Sequence, residues 1–321
     1  MKAYLGVDVG SVSTNLVIMD EKDEVIESLY LRTQGQPVSV VQNGLKILEK
    51  KVSPDIEIAG VGVTGSARSL TSVLVGADAI KNEITAHAVA VSSMVPGAQT
   101  ILEIGGQDSK IIIMRDGIVV DFAMNTVCAA GTGSFLDHQA DRLKIPIEEF
   151  GELALKATNP VRIAGRCAVF AESDMIHKQQ LGHATEDIIA GLCEALVRNY
   201  LNNVGKGKEI LGPVVFQGGV AANAGIKSAF EKALNKELVI PKHYDVMGAV
   251  GCCILAREAT RNSPTKFKGW QAAGCDFRPT SFECNGCPNL CEIIQIHENN
   301  VLVARWGDRC GKWSNINYKA Q

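Results

Sequence analysis

Two cysteines stand where the sequence predicts that helices begin. Cys128 lies in VCAAGTGSFL, residues 127–136, and Cys167 lies in GRCAVFAESD, residues 165–174. The unpaired N–H groups and the positive dipole end of a helix start favour an anionic iron-sulfur cluster. A [4Fe-4S] cluster takes four thiolates, so two identical chains on a twofold axis would each have to supply this pair. The alternative is two small buried side chains, because free cysteine is commonly buried.

Four further cysteines near the C-terminus have the spacing of a metal site. They lie in CNGCPNLC and in GDRC, as Cys284, Cys287, Cys291 and Cys310. Two thiolates separated by two residues, with a third soon after and a fourth beyond a predicted hairpin, suit four-thiolate coordination. Zinc and [4Fe-4S] both accept such a set, so the metal stays open, with a structural zinc slightly favoured. A cysteine-rich loop without a metal is the alternative, and Cys275 is a spare.

A repeat of glycine turns predicts contacts with phosphate groups. VDVGSVSTNLVIM at 7–19 aligns without gaps on LEIGGQDSKIIIM at 102–114, which pairs Asp8 with Glu103. Each copy is predicted to form a strand, a tight turn and a second strand. Backbone N–H groups and hydroxyls in such turns bind phosphate oxygens, and the acid near the end of each first strand can hold hydrated Mg²⁺. A third glycine pair, in GGVAAN at 218–223, would receive the adenosine. An ordinary hairpin is the alternative for any single turn.

The elements that must position these residues are strands and helices along the whole chain. The apolar spacing at 184–204 predicts a core helix, and Cys193, Cys252 and Cys253 fall in similar apolar patterns that favour packing in the core. We expect strands near 3–9, 15–20, 24–31, 57–63, 100–104, 110–115, 118–124, 213–217, 292–297 and 300–306. We expect helices near 38–51, 82–94, 131–143, 184–204, 224–234 and 247–260. Glu83 and His87, one helical turn apart, are predicted to form a polar pair near the nucleotide cleft, because no third metal ligand is visible.

Composition narrows the classes of partner. The 32 basic and 35 acidic residues are well mixed and give a formal net charge of -3, so nucleic acid is not an expected partner. The N-terminal apolar run is interrupted at Asp8, which does not suit a secretory signal. The longest stretch without a formal charge, 84–102, carries several polar residues, so we expect no membrane span. Ten cysteines without an export signal predict a reducing cytoplasm.

The three glycine motifs, in this order, resemble those of the actin, Hsp70 and sugar-kinase superfamily of ATPases. The resemblance covers about residues 1–261. It implies an α/β fold of two ribonuclease-H-like domains with ATP in the cleft between them. We expect the first domain at 1–95, completed by a helix near 247–261, the second at 96–261, and a small Cys-rich extension at 262–321.

Within that superfamily, both cysteine segments resemble those of the activator ATPases of 2-hydroxyacyl-CoA dehydratases and the ATPase subunits of benzoyl-CoA reductase. EIGGQDSK, NEITAHA and GGVAAN match in the same order. The resemblance implies that Cys128 and Cys167 bind one [4Fe-4S] cluster bridging a homodimer. One departure lies in the first turn, where Val12 and Asn15 stand at positions that are Thr and Lys in many relatives.

The resemblance also implies roles for the residues of the turns. Asp8, Glu103 and Asp108 would handle Mg²⁺ and its water shell, and Gln107 the phosphates or the attacking water. The other expected contacts with ATP or ADP are Gly10, Ser11, Ser13, Thr14, Gly105, Gly106, Ser109, Gly218, Gly219 and Asn223.

The function that follows is an ATP-driven, oxygen-sensitive electron-transfer protein. Its partner would be a 2-hydroxyacyl-CoA dehydratase, a benzoyl-CoA reductase-like enzyme or a double-cubane cluster protein, and the cysteine tail is most similar to the reductase of the last. A ferredoxin or flavodoxin would donate the electron. The alternatives are a small-molecule kinase of the same superfamily and an actin-like or chaperone-like interaction protein.

Overall fold

The computed structural model describes residues 1–125 and 127–314. Contacts divide the chain into two units, one formed by Met1–Lys81 with Cys252–Gln321 and the other by Asn82–Gly251. The sequence placed the domain boundaries after residues 95 and 261. Contacts group the helix that begins at Glu83 with the second unit and the Cys-rich extension with the first, and the predicted domain boundaries stay a prediction.

The first unit is built on a five-stranded sheet. Its elements before the extension are β1 (Lys2–Val9), β2 (Ser13–Asp20), β3 (Val25–Arg32), α1 (Pro37–Lys51), β4 (Glu57–Thr64), α2 (Arg68–Val75) and β5 (Ala79–Ile80). The strand order is β3-β2-β1-β4-β5, with β1 antiparallel to β2 and parallel to β4. Most residues of β1, β2 and β4 are buried. Their near-continuous apolar sequences follow from this burial of both faces.

The second unit has its own five-stranded sheet. Its strands are β6 (Thr100–Ile104), β7 (Ser109–Arg115), β8 (Ile118–Asn125), β9 (Val214–Gln217) and β10 (Leu238–Val239). Its helices are α3 (Glu83–Met94), α4 (Gly133–Leu143), α5 (Ile147–Leu155), α6 (Ala168–Gln180), α7 (Thr185–Asn203) and α8 (Ala224–Leu234). A ninth helix, α9 (Met247–Ala259), runs through the boundary between Gly251 and Cys252.

The two sheets have the same topology. The second reads β8-β7-β6-β9-β10, which repeats β3-β2-β1-β4-β5 strand for strand. The pairing directions also match, since β6 is antiparallel to β7 and parallel to β9. The sequence repeat at 7–19 and 102–114 therefore marks the same hairpin in both sheets.

Helix α7 forms much of the core of the second unit. Leu192, Leu196 and Tyr200 are fully buried, and the Tyr200 ring meets the Phe230 ring edge-on with centroids 5.2 Å apart. Cys193 is buried beside them. The predicted core helix at 184–204 is confirmed, as is the core position of Cys193.

The Cys-rich extension is a three-stranded antiparallel sheet. Its strands are β11 (Phe277–Glu283), β12 (Glu292–Glu298) and β13 (Val301–Trp306), in the order β11-β12-β13. Phe277 and Ile296 are buried in the core of the first unit. The Gln42 amide of α1 donates to the Cys275 carbonyl at 2.8 Å. The extension is thus packed into the first unit, and the predicted hairpin at 292–306 is confirmed.

The predicted strands and helices are confirmed to within a few residues at their ends. The helix expected at 131–143 begins at Gly133, after a short 3₁₀ turn at Ala129–Gly131. The elements that the sequence did not predict are α2, α5, β5, β10, β11 and the body of α6.

Candidate functional site

One hydrogen bond is repeated in the two glycine turns. The Gly10 N–H donates to the Ser13 carbonyl at 2.9 Å, and the Gly105 N–H donates to the Asp108 carbonyl at 3.0 Å. The gap-free sequence repeat pairs these four positions two by two. Both turns are therefore closed by the same backbone hydrogen bond, at the positions that the repeat pairs.

The side chain of Thr33 is hydrogen-bonded to the first glycine turn. Its hydroxyl lies 2.9 Å from the Gly10 carbonyl and 2.9 Å from the Thr14 hydroxyl. Thr14 is fully buried, whereas Ser11 is exposed and Ser13 is half-buried. The sequence assigned the hydroxyl residues Ser11, Ser13 and Thr14 to the nucleotide. Ser11 and Ser13 reach solvent, whereas the hydroxyl of Thr14 is bonded to that of Thr33.

A further glycine of the first unit was missed by the sequence analysis. Gly65, directly after β4, has φ +92°, and a Cβ there would collide with the Val9 carbonyl. Gly218, directly after β9 in the second unit, has φ +88°, and its Cβ would collide with the Ile104 carbonyl. Only glycine accepts this combination of positive φ and close backbone approach. The segment TGS at 64–66 carried the signal, a glycine directly after an apolar strand.

Four charged side chains meet beside the second glycine turn. The Lys110 ammonium lies 2.8 Å from Glu83 Oε2, 3.0 Å from Glu103 Oε2 and 2.8 Å from Asp108 Oδ2. The Lys110 side chain is only 3% exposed, Glu103 is 7% exposed, and Asp108 is 32% exposed. The ammonium and Glu103 are therefore buried, and Asp108 is the most exposed of the three carboxylates.

Burial and charge shift the titration of this group. Burial raises the pKa of Glu103 to about 7, although the Lys110 ammonium opposes the shift. Burial alone would lower the pKa of Lys110, but the three carboxylates hold it above its ordinary value. His87 is buried on the same side of α3 as Glu83, and burial together with the Lys110 charge lowers its pKa to about 4. The lysine is therefore charged and His87 is neutral at pH 7.

The third glycine turn adjoins this charged cluster. A Cβ at Gly218 would lie 2.9 Å from Glu103 Oε1. Gln217, the last residue of β9, pairs with Glu103 in the sheet, and its side-chain nitrogen lies 2.8 Å from His87 Nδ1. Each member of the polar pair expected from Glu83 and His87 thus has a further partner, Lys110 for Glu83 and Gln217 for His87.

The remaining residues predicted for the second and third turns differ in exposure. Gln107 and Gly219 are exposed, and Gly106 is half-buried. Ser109 is fully buried, and its hydroxyl has no hydrogen-bond partner among the described residues. Asn223 caps α8, because its side-chain oxygen accepts from the Ile226 N–H at 3.0 Å.

Cys128 and Cys167 come together at two helical starts. Cys128 precedes the 3₁₀ turn and Cys167 is the N-cap of α6. Both are half-exposed, and Cys128 Sγ lies 3.8 Å from the carbonyl of Arg166, the residue before Cys167. The segments that carry the two cysteines are therefore neighbours in the second unit, and their role as cluster ligands stays a prediction.

An asparagine of α7 joins the two cysteine segments. The Asn199 side-chain nitrogen donates to the Gly165 carbonyl at 2.6 Å and lies 3.9 Å from Cys128 Sγ. Asn125 adds a second clamp, since its side chain accepts from the Cys128 N–H at 3.0 Å and donates to the Cys128 carbonyl at 2.8 Å. The sequence analysis missed both asparagines, which carry no motif.

The Cys128 segment is bonded directly to the second glycine turn. The Gly133 N–H donates to the Gly105 carbonyl at 2.9 Å, and the Ser134 N–H donates to the Gly106 carbonyl at 2.9 Å. The Ser134 hydroxyl donates to the same Gly106 carbonyl at 2.6 Å. Three hydrogen bonds therefore link the start of α4 to the turn that the sequence assigns to phosphates.

Apolar side chains lie exposed next to the two cysteines in sequence. Val127 is 96% exposed, Val169 is 68% exposed and Phe170 is 66% exposed. Clustered exposed apolar side chains commonly mark surfaces that another protein covers.

The four thiols of the extension lie on two neighbouring loops. The Cys284 N–H donates to the Cys291 carbonyl at 2.8 Å, and the Trp313 indole N–H donates to Cys284 Sγ at 3.2 Å. The Trp313 hydrogen bond lowers the pKa of the Cys284 thiol. Cys287 and Cys310 are exposed. In this arrangement the thiols do not form a four-thiolate shell, and residues 1–125 and 127–314 contain no group of three or more His, Cys, Asp or Glu side chains that could hold a metal ion.

No helix within the described part of the chain is long and apolar enough to cross a membrane.

Comparisons with known proteins agree with this geometry. The chain is 32% identical over 255 residues to the (R)-2-hydroxyglutaryl-CoA dehydratase activating ATPase of Acidaminococcus fermentans, which covers 78% of this chain and 96% of the relative. It is 34% identical over 259 residues to the activator of lactoyl-CoA dehydratase of Anaerotignum propionicum, with 80% and 98% covered.

A solved structure extends the likeness to three dimensions. The activator of the 2-hydroxyisocaproyl-CoA dehydratase from Clostridium difficile, with bound ADPNP, superimposes with a TM-score of 0.72 at 31% identity, over 81% of this chain and 96% of that one. The predicted fold of two ribonuclease-H-like domains is confirmed. The model of the BadF/BadG/BcrA/BcrD ATPase family matches residues 5–256, so the whole Cys-rich extension lies outside the match. The chain belongs to the BadF/BadG/BcrA/BcrD ATPase family.

Proposed function

We propose that this chain hydrolyses ATP to deliver low-potential electrons from a [4Fe-4S] cluster to a partner iron-sulfur enzyme. The observation that carries the proposal is the direct bonding of the Cys128 segment to the second glycine turn through Gly133 and Ser134. A rearrangement at the turn would reach the cysteine pair through these bonds. The activities named for the relatives favour this function over a small-molecule kinase or an actin-like or chaperone-like protein.

Cys128 and Cys167 are the proposed ligands of the cluster. When bound, the cluster would supply one-electron transfer. The pair fits this role because both cysteines are half-exposed at helical starts and Asn199 joins the two segments through Cys128 and Gly165. One chain supplies two thiolates of the four, so a homodimer would complete the set. The exposed Val127, Val169 and Phe170 would be covered in that dimer.

The nucleotide contacts are assigned to each unit separately. In the first unit we assign Asp8 to Mg²⁺ and Ser11 and Ser13 to phosphate, in the turn that begins at Gly10. In the second unit we assign Glu103 and Asp108 to Mg²⁺ and its water. Carboxylates next to a phosphate turn suit Mg²⁺, which keeps several waters and binds through one or two carboxylates and the phosphates of its substrate.

The remaining nucleotide contacts proposed for the second unit come from its two glycine turns. Gln107 is exposed and can contact the phosphates or the attacking water. The backbone of Gly105, Gly106 and Ser109 would hold the phosphates, and the segment from Gly218 to Asn223 would hold the nucleoside.

The proposed partner is a 2-hydroxyacyl-CoA dehydratase, a benzoyl-CoA reductase-like enzyme or a double-cubane cluster protein in the cytoplasm. The named relatives are activators of 2-hydroxyacyl-CoA dehydratases, which supports the first of these. A ferredoxin or flavodoxin would supply the electron.

The extension is proposed to bind its own metal, zinc or an iron-sulfur cluster, through Cys284, Cys287, Cys291 and Cys310. The spacing of the cysteines supports this, as does the contact between their two loops at Trp313 and Cys284. The loops would have to close around the metal, because the thiols do not form a shell in the described structure.

The cluster ligands are tested by removing one thiol at a time. In Cys128→Ala and Cys167→Ala we expect loss of the brown absorbance and of iron, and weaker dimerisation, because each chain supplies half of the ligands. Binding of ADP should persist, since the glycine turns are intact. Anaerobic spectroscopy, iron analysis and sedimentation provide the measurements.

Cys287→Ser is the matched control. It should remove only the metal of the extension and leave the spectrum of the dimer cluster in place, because its loop belongs to the other unit. A monomeric wild-type protein that holds a complete cluster would contradict the bridging role. A Cys287→Ser protein with unchanged total metal would exclude the site in the extension.

A further inference from the structure

We propose that Lys110 is a resident cation at the second glycine turn, which occupies the carboxylates there and so prevents a divalent cation from binding until a nucleotide brings it. The inference rests on the assignment of Glu103 and Asp108 to Mg²⁺. It concerns the order in which metal and nucleotide bind, and it is independent of electron transfer.

The carboxylates around Lys110 come from three separate elements. Glu83 lies in the first turn of α3, Glu103 lies in β6, and Asp108 lies in the glycine turn. All three place an oxygen within 3.0 Å of the same ammonium. Three carboxylates around one point would attract a hard divalent cation if that point were vacant. In this protein the point is filled by the lysine.

The position of the lysine is fixed by the fold. Lys110 pairs with Glu103 across the β6–β7 ladder, and its carbonyl accepts from the buried Tyr200 hydroxyl at 2.6 Å. The ammonium is nearly excluded from solvent, whereas the outer carboxylate, Asp108, is 32% exposed. A metal ion that arrives from solvent therefore meets carboxylates whose inner oxygens already bind a cation.

The internal repeat supplies a comparison within the same molecule. The shift that pairs Asp8 with Glu103 pairs Asn15 with Lys110, and Asn15 faces Asp8 across β1–β2 as Lys110 faces Glu103 across β6–β7. The hairpin and its glycine turn form with an amide at this position in the first unit. The hairpin therefore does not require a lysine at this position. What Lys110 adds is a positive charge beside the second glycine turn.

The charge balance explains the effect on binding. One ammonium neutralises one of the three carboxylates and competes for the oxygens of all three. A bare divalent cation has to displace it and lose part of its own hydration. A cation already bound to phosphate oxygens needs only one or two protein carboxylates, so it can bind while Lys110 keeps the others.

Binding of Mn²⁺ in the absence of nucleotide is the test. The anaerobically purified protein is titrated with Mn²⁺, and free Mn²⁺ is measured by electron paramagnetic resonance, with Mg²⁺ as competitor. The wild-type protein and Lys110→Arg should bind Mn²⁺ weakly. Lys110→Asn, which places the residue of the first turn in the second, should bind Mn²⁺ at least about tenfold more tightly.

The charge-balanced variant Lys110→Asn with Glu103→Gln should return Mn²⁺ affinity toward the wild-type value, because it removes one of the carboxylates that the lysine neutralised. Tight Mn²⁺ binding by the wild type without nucleotide would overturn the proposal, and so would equal affinities in the wild type and Lys110→Asn. If Lys110→Asn folds only with Mn²⁺ present, the proposal is supported. If it fails to fold with and without Mn²⁺, the lysine is needed for folding and the proposal fails.

The readout separates this inference from the proposed function. If Cys128→Ala keeps its cluster, the proposed ligands are rejected, and the Mn²⁺ titrations of the Lys110 series still test the resident cation. Equal Mn²⁺ affinities in the Lys110 series would reject the resident cation and leave the cluster assignment standing.

Discussion

The side chain of Asn223 has a structural partner of its own. Its oxygen accepts from the Ile226 N–H at 3.0 Å and caps α8. The sequence assigned Asn223 to the nucleoside, and that assignment stays a prediction. Its amide nitrogen, on the other end of the side chain, is the atom that could contact a ligand while the oxygen serves the helix.

The two roles can be separated by substitution. Asn223→Ala removes the cap and should lower the free energy of unfolding by about 1 kcal/mol. Asn223→Asp keeps a cap acceptor but removes the amide donor, so it should retain stability. If the amide contacts the nucleoside, Asn223→Asp should bind ADP more weakly despite its stability. Urea unfolding and ADP titration give the two values, and a stable Asn223→Ala would contradict the cap.

Residues that a motif identifies were predictable, and their partners were not. The glycine turns and the acids beside them follow from local sequence, because a tight turn between two strands needs a few neighbouring residues. The arrival of Glu83 at Lys110 and of Asn199 at Gly165 depends on how helices pack against the sheet. No spacing in the sequence encodes these contacts.

At the scale of elements, the start of α4 connects the second glycine turn with the segment that carries Cys128. Gly133 and Ser134 bond to the carbonyls of Gly105 and Gly106, and Cys128 lies just before the same helix. A Cβ at Gly133 would lie 3.0 Å from the Gly105 carbonyl, so glycine allows this close approach. A displacement of the turn would move the start of α4 with it.

Weakening this connection should uncouple ATP hydrolysis from electron delivery. Ser134→Ala removes the 2.6 Å bond to Gly106 but keeps the backbone bond. We expect fewer electrons delivered per ATP hydrolysed, and the lost bond, worth about 1 kcal/mol, limits the fall to roughly fivefold. The ATPase rate itself should change less. Anaerobic reduction of the partner enzyme and phosphate release are measured on the same samples.

Ser173→Ala is the control for this variant. The Ser173 hydroxyl donates to the Val169 carbonyl inside α6 and does not contact the glycine turn. Its ratio of electrons to ATP should equal that of the wild type. An unchanged ratio in Ser134→Ala would show that the connection does not carry the coupling.

The strength of the apolar pattern decided which elements the sequence predicted. Strands buried on both faces and long helices such as α7 have many apolar residues at regular spacing, and these were found. In α6 only Ala171 and Met175 are buried, so its pattern is faint along the body of the helix. The two-residue strands β5 and β10 are too short to show any alternation.

At the scale of the whole molecule, the sequence predicted the doubling of the fold but not the placement of the extension. The repeat at 7–19 and 102–114 was sufficient to indicate two related sheets. Residues 262–321 were expected to form a separate small domain, because their composition changes and their cysteines cluster. Contacts place the described part of this segment, up to residue 314, with the first unit. Asp78 holds its start by accepting from the Lys266 N–H at 2.8 Å and the Thr265 hydroxyl at 2.7 Å.

The packing of the extension predicts that its core residues stabilise the first unit as a whole. Phe277 is 7% exposed and belongs to the core that includes Leu45 of α1 and Ile296 of β12. Phe277→Ala should therefore lower the free energy of unfolding by about 3 to 4 kcal/mol through lost burial and a cavity.

Phe282→Ala, in the same strand, is the matched control, since the half-buried Phe282 packs on Trp313 beside Cys284. It should loosen the cysteine loops and lower metal retention in the extension with a smaller effect on unfolding. Urea denaturation gives the unfolding free energies, and metal analysis gives the retention. If both variants unfold at the same urea concentration as the wild type, the extension is an independent appendage and its packing against α1 contributes nothing to the stability of the first unit.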